Sequence, residues 1–179
     1  MTAVVYAYEP EVRVLKELVK ESSWQDKISW YKWPTFPDNA DLILNVGFAG
    51  CLNPNLALGQ VVLVDKILAD SKEPIFLNDS QAENFCKSHN LSLTTLLTAQ
   101  NPVTSILDRD ELRQKTGADI VDMEGHHLYS LAKKNNMPLI SLKVISDNAD
   151  SDVWQTIKQN SERWSEILGK TAFELLKML

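Results

Sequence analysis

The chain has 179 residues, 44% of them apolar and 23% charged, with a formal charge of −6, which is enough for one domain with a buried core. The acidic balance excludes a nucleic-acid binder, which needs a basic stripe to neutralise phosphates, and no apolar run approaches the ~20 residues of a membrane helix. Met1 to Tyr8 lacks the basic start of a signal peptide, and Cys51 and Cys86 form no CxxC pair; we expect reduced thiols in a cytoplasmic protein with no metal and no cofactor.

Short β-branched runs alternate with helical patterns along the chain. Ala3 to Ala7 reads as a strand, and Glu11 to Glu21 as a helix with Val12, Leu15, Leu18 and Val19 on one face. Ser22 to Asp38 holds three tryptophans and two prolines. An edge strand near Ile28 to Trp33, ended by Pro34, fits it best. Its aromatics then cover one edge of the core, with a lid or subunit contact as the other reading. Strands follow at Asp41 to Val46, Gln60 to Val64 and Leu93 to Thr98. A short helix from Arg109 to Lys115 is expected under an Asp108 cap, with Gly117 beyond its end. Asp119 to Asp122 is a strand, Glu124 to Asn135 a helix that Pro138 stops, and Leu139 to Ile145 a strand apolar on both faces. The last stretch, Val153 to Leu179, places Trp154, Ile157, Trp164, Ile167, Leu168, Leu175 and Leu176 on one helical stripe, with Gly169 as an interruption. The alternation predicts a single α/β domain over 1–179, a central mixed β-sheet flanked by helices.

In open α/β sheets, ligands bind beyond the carboxyl ends of the strands. That rule selects Glu9 and Glu11, then Gly47-Phe48-Ala49-Gly50, then Asp122-Met123-Glu124, then Ser146-Asp147. Three of these four places carry carboxylates. Gathered at one rim they repel each other, which costs stability unless the site binds or transforms something. Each has a plainer reading: Glu11 and Glu124 as partners of helix dipoles, the glycines as a tight turn, and Asp147 to Asp152 as a solvated loop. His126 and His127 are adjacent, so they point to different helix faces and do not share a metal. Neither GxGxxG nor GxxxxGK[ST] occurs, which leaves dinucleotide and P-loop sites without support.

The same residues resemble a known family. Asn45 to Gly50, followed by Leu58 to Val64, is similar to the glycine-bearing loop and next strand of methylthioadenosine/adenosylhomocysteine nucleosidases. Val121-Asp122-Met123-Glu124 resembles their ribose-binding segment, and Val144-Ile145-Ser146-Asp147-Asn148-Ala149-Asp150 their Ile-Ser-Asp segment on the purine. Ala7 to Val12 falls where the family keeps an acidic motif. Pro102-Val103-Thr104, with Arg113 to Gly117 and Asp122 to His126, resembles a second branch, the hopanoid-associated phosphorylases. The chain is thus identified as a shortened member of the nucleoside phosphorylase and nucleosidase family.

The resemblance implies cleavage of a purine from ribose, by hydrolysis or with phosphate as co-substrate; a nucleoside-binding protein without turnover is the third reading. It implies Asp147 as the acid that protonates the purine, with Ser146 orienting it and Val103 beside the base. Glu124 would accept the ribose hydroxyls while Met123 packs on the sugar, and Glu11 would activate water in a hydrolase or contact the ribose where phosphate attacks. Gly47, Phe48, Arg13 and Lys143 would form the nucleophile or phosphate region. It also implies a homo-oligomer, most simply a dimer. Three departures stand out: Phe48 where nucleosidases place a small hydroxyl residue, Lys143 where arginine is frequent, and residues 22–40 in place of a longer segment.

Overall fold

The computed structural model describes residues 1–70, 72–77 and 79–179. All its strands join one mixed sheet: β1 (Thr2–Tyr6), β2 (Ile28–Lys32), β3 (Leu42–Cys51), β4 (Val61–Ala69), β5 (Ile75–Phe76), β6 (Ser92–Thr98), β7 (Ile120–Asp122) and β8 (Leu139–Asp147). The helices are α1 (Arg13–Lys20), α2 (Ser80–Ser88), α3 (Ile106–Thr116), α4 (Gly125–Lys134) and α5 (Val153–Met178). β3 pairs with β8 in parallel, β8 with β4 antiparallel, β4 with β6 and β6 with β7 in parallel, and β7 returns antiparallel to β3 at Gly50 and Cys51. These five strands close a circuit, and β1 and β2 extend from β3 as a parallel flank.

Alternation sorts each strand between two apolar clusters. Val4, Tyr6, Leu44, Val46, Phe48, Leu142 and Val144 pack under α1, α2 and α5, whereas Ala3, Val5, Ile43 and Ala49 join Leu128 and Ala132 of α4. Where a polar residue takes an inner position it is bonded. The Asn45 side chain donates to the Val5 carbonyl at 3.2 Å and accepts from Ser141 Oγ at 3.0 Å, tying three strands together.

Several expected boundaries shift for local reasons. The segment Gly47 to Gly50 is not a loop: β3 runs on through Cys51 because β8 and then β7 supply ladder partners. Glu11 ends a 3₁₀ turn, Glu9–Glu11, and α1 starts only at Arg13. The short helix begins at Ile106 rather than Arg109, because the Ser105 hydroxyl, not Asp108, caps it by accepting from the Asp108 amide. Gly117 closes that helix with φ 70°, a left-handed position that suits glycine. β5 and α2 went unpredicted, being short or only weakly apolar.

Gly169 does not interrupt α5. It lets α5 cross α1 closely, since an added Cβ would stand 2.8 Å from the Leu15 amide nitrogen. The tryptophan-rich segment supplies edge strand β2 as expected. Trp24 and Trp30 pack on the α1/α5 cluster and Trp33 on the other, so all three are half-buried cover for the sheet edge. No helix among the described residues is long and apolar enough to cross a membrane.

Candidate active site

The carboxyl ends of β1, β3, β7 and β8 converge on a cavity of about 670 Å³, roofed by the first turns of α5. A register shift between Ala49 and Gly50 helps to open it. It breaks the β3–β8 ladder and sets Gly50 opposite Asp147. A side chain at Gly50 would meet Asp147 Oδ1 at 3.0 Å and Val121 at 3.1 Å, so the glycine keeps the Asp147 carboxylate beside the strand.

Glu11 reaches the cavity because the 3₁₀ turn folds it back over the end of β1. Its Oε2 accepts from the amides of Ala7 at 2.9 Å and Tyr8 at 2.8 Å, and Oε1 accepts from Phe48 at 2.9 Å. Burial, reinforced by the Glu124 carboxylate, pushes the Glu11 carboxyl up to about 7, against the pull of Lys143 and these amides. Glu124 sits just ahead of α4 but does not cap it. Asp122 takes that task, accepting the Gly125 amide at 3.1 and 3.2 Å and the Thr98 hydroxyl at 3.0 Å. Glu124 Oε1 instead accepts from Lys143 Nζ at 2.9 Å, and its Oε2 from the Met123 amide at 3.3 Å. Burial raises the Glu124 carboxyl and Asp122 adds to it, with Lys143 opposing.

Lys143 is fully buried beneath this floor, 2.9 Å from Glu124 and 3.0 Å from Asp122. Burial alone would discharge the ammonium; Glu124, Asp122 and Glu11 outweigh it and hold Lys143 above its ordinary value. Gly47 makes room for it, since a Cβ there would lie 2.8 Å from Nζ. At the other end, Asp147 Oδ2 accepts from Ser146 Oγ at 2.6 Å and Oδ1 from the Ala149 amide at 2.9 Å. Burial still raises its carboxyl, because those two hydrogen bonds only partly offset desolvation.

Of the residues singled out in the sequence, Glu11, Phe48, Ala49, Gly50, Val103, Asp122, Met123, Glu124, Ser146 and Asp147 line the cavity together. Three do not. Arg13 turns outward to an exposed pair with Glu162 at 3.2 Å, so it is no cation of the cavity. Lys143 is enclosed by carboxylates below the floor, and Gly47 is the space that Lys143 fills. Among residues not singled out, Tyr8 lines the cavity and stands edge-on to Phe48 with ring centroids 6.2 Å apart. Trp154 and Ile157 were expected on the core stripe of the last helix. Trp154 is in fact 65% exposed and lines the cavity with Ile157 and Lys158. Ile157 packs on the α1/α5 cluster as expected and Val153 at the start of α5 is buried, so Trp154 alone of the two leaves the stripe.

Residues 78–177 match the family model described as the phosphorylase superfamily. The chain belongs to that superfamily. Solved structures of similar fold extend the likeness over nearly its whole length. A 5′-methylthioadenosine/S-adenosylhomocysteine nucleosidase from Helicobacter pylori aligns with a TM-score of 0.88 at 16% identity, covering 99% of this chain and 98% of that one. A futalosine hydrolase from the same species aligns at 0.86 and 16%, covering 99% and 97%. A nucleosidase from Neisseria meningitidis aligns at 0.85 and 16%, covering 99% of both. At such identities the likeness is one of fold. No curated protein matches the chain. Within the superfamily's mixed-sheet fold, the cavity lies where β3 and β8 diverge.

Proposed function

We propose that this superfamily member hydrolyses the N-glycosidic bond of a purine nucleoside, with 5′-substituted adenosines as the substrate class. The observation that carries the reading is one cavity lined by Asp147, a buried carboxyl inclined to keep its proton, and by Glu11 and Glu124 at its other end. A purine anion is a poor leaving group, so Asp147 donates a proton to N7 as the C1′–N9 bond breaks and its electron pair moves to the base. The sugar becomes oxocarbenium-like. Glu124, anchored by Lys143, accepts the ribose hydroxyls and stabilises that charge, and Met123 packs against the ring. Water attacks C1′ and gives its proton to Glu11, whose raised affinity for a proton suits a base working near neutral pH.

Hydrolysis fits better than phosphorolysis for an electrostatic reason. Four carboxylates line the cavity (Glu11, Asp122, Glu124 and Asp147), and its one lining cation, among the described residues, is Lys158 on the α5 side. A phosphate of about −1.5 to −2 charge would need cations or free amides at the anomeric carbon. Arg13 and Lys143 are engaged elsewhere, and the Phe48 amide is given to Glu11. The test is adenine release from methylthioadenosine and adenosylhomocysteine with and without phosphate, following free sugar against sugar 1-phosphate. Phosphate-independent release of free sugar is expected, and strict phosphate dependence refutes hydrolysis. Asp147→Asn should abolish release while leaving nucleoside affinity within roughly tenfold. Binding without release by the native protein would make it a nucleoside-binding module. A homodimer belongs to the same proposal, and a monomer by sedimentation at micromolar concentration would remove that part.

A further inference from the structure

Asp147 takes its shortest hydrogen bond, 2.6 Å at Oδ2, from the Ser146 hydroxyl, so the setting of the acid depends on where Ser146 stands. The sheet holds that residue weakly. Toward β3 the register passes it over, with Ala49 opposite Ile145 and Gly50 opposite Asp147, which makes Ser146 the extra residue of a β-bulge. Toward β4 the ladder ends at Val144, and one more pair of bonds joins Ile145 to Gly59 and Gln60. The remaining tie comes from α5. Trp164 Nε1 donates to the Ser146 carbonyl at 3.2 Å, the one hydrogen bond between α5 and β8 among the described residues. The indole is itself fixed, being 2% exposed within the α1/α5 cluster. Gly59 leaves it room, since a Cβ there would stand 2.4 Å from the ring. A buried indole needs an acceptor; here the acceptor is the bulged residue beside the acid.

Resting on the nucleosidase reading, we propose that Trp164 is a positioning residue for the acid: its N–H fixes the bulge so that the Ser146 hydroxyl is aimed at Asp147 as Asp147 gives up its proton. The hydroxyl has one proton and two acceptors within reach, Asp147 Oδ2 at 2.6 Å and the Ala49 carbonyl at 3.3 Å. As Asp147 passes its proton to the purine it becomes a carboxylate, the stronger acceptor, and the hydroxyl bond to it tightens. A bond that strengthens as charge develops lowers the barrier more than it stabilises the bound substrate. That gain requires Ser146 to be in place beforehand. A bulge free to swing turns the hydroxyl toward Ala49 and leaves the new carboxylate with the Ala149 amide alone. Trp164 touches neither substrate nor proton; it acts through Ser146.

The experiment replaces Trp164 site-specifically with benzothienylalanine, which keeps the indole shape but carries sulfur in place of the N–H. Trp164→Phe serves as a second variant, and each change is also made on Ser146→Ala. With methylthioadenosine, kcat should fall roughly three- to tenfold, the scale of one neutral hydrogen bond, while KM moves by less than about twofold. On the Ser146→Ala background the same change should cost nothing further. A readout free of turnover is the titration of the isotope-labelled Asp147 carboxyl by NMR. The Ser146 bond favours the carboxylate, so loosening it should move that titration to higher pH, with Asp150, the other charge bearing on Asp147, left in place. An isostere with native kcat and native titration overturns the proposal, even where Trp164→Phe is impaired, because packing alone then accounts for the tryptophan. A loss equally large on Ser146→Ala overturns it too. If the native protein cleaves no nucleoside, the nucleosidase reading fails by itself, and the titration still decides whether Trp164 acts on Asp147.

Discussion

Replacing Lys143 with methionine tests the buried charge cluster most directly. The side chain is fully buried and its ammonium lies 2.9 Å from Glu124 and 3.0 Å from Asp122. Methionine fills similar space but leaves both carboxylates without their cation. Removing one member of a buried ion pair costs about 3–5 kcal/mol, and each kcal/mol lowers the melting temperature of a chain this size by roughly 2–4 °C. The variant should therefore melt about 6–20 °C below the native protein at pH 8, by calorimetry or circular dichroism. The deficit must also depend on pH. Without the ammonium, Glu124 and Glu11 hold their protons to higher pH when folded than the ~4.3 of an unfolded glutamate. A raised carboxyl pKa opposes folding only where the unfolded chain has ionised, so the penalty is absent below that range and grows as pH rises. The deficit should narrow by pH 5.5, and Lys143→Met combined with Glu124→Gln should recover part of it. A variant melting with the native protein at pH 8, or a deficit equal at both pH values, refutes this account of the cluster.

Four further outcomes follow from the geometry. Because Glu11 is held at about 7 and acts ionised, kcat/KM should climb as pH rises through that value, and Glu11→Gln should erase the limb. Native stability should run the opposite way, falling as pH rises from the unfolded carboxylate range toward 7 and levelling above it. Glu124→Gln should lower turnover by at least ~10²-fold and leave little further loss with a 2′-deoxy substrate; equal 2′-deoxy discrimination in both proteins would remove the ribose role. Gly169→Ala should lower the urea midpoint by an amount equal to about 1–3 kcal/mol, since its Cβ would meet the Leu15 backbone at 2.8 Å, and an unchanged midpoint would mean α5 simply shifts.

Strands β1, β3, β6 and β8 were legible because β-branched runs bounded by turn residues carry their own signal, and Glu11, Met123, Glu124, Ser146 and Asp147 because they end or follow such strands. The ends of β3 and β4 were not. Gly47 to Gly50 reads locally as a turn, and only the ladders offered by β8 and β7 keep it extended. Gly169 carries the same ambiguity: a glycine inside a helix reads as a weak point unless one knows that α1 crosses there.

For the site, residue types and their order along the chain determined which carboxylates stand at or just beyond strand ends; β1, β3 and β8 run parallel and bring theirs to one rim, whereas Glu124 arrives there because β7 pairs antiparallel with the end of β3. Their electrostatics belonged to the tertiary structure. Nothing local tells that Lys143 lies under Glu124 and Asp122 rather than beside a phosphate, or that Arg13 turns away to Glu162. Charge pairs form between residues distant in the chain. The Asp122–Lys143 and Arg13–Glu162 contacts span 21 and 149 positions, and the closing of the sheet and the crossing of α5 over α1 decide which side chain each charge meets.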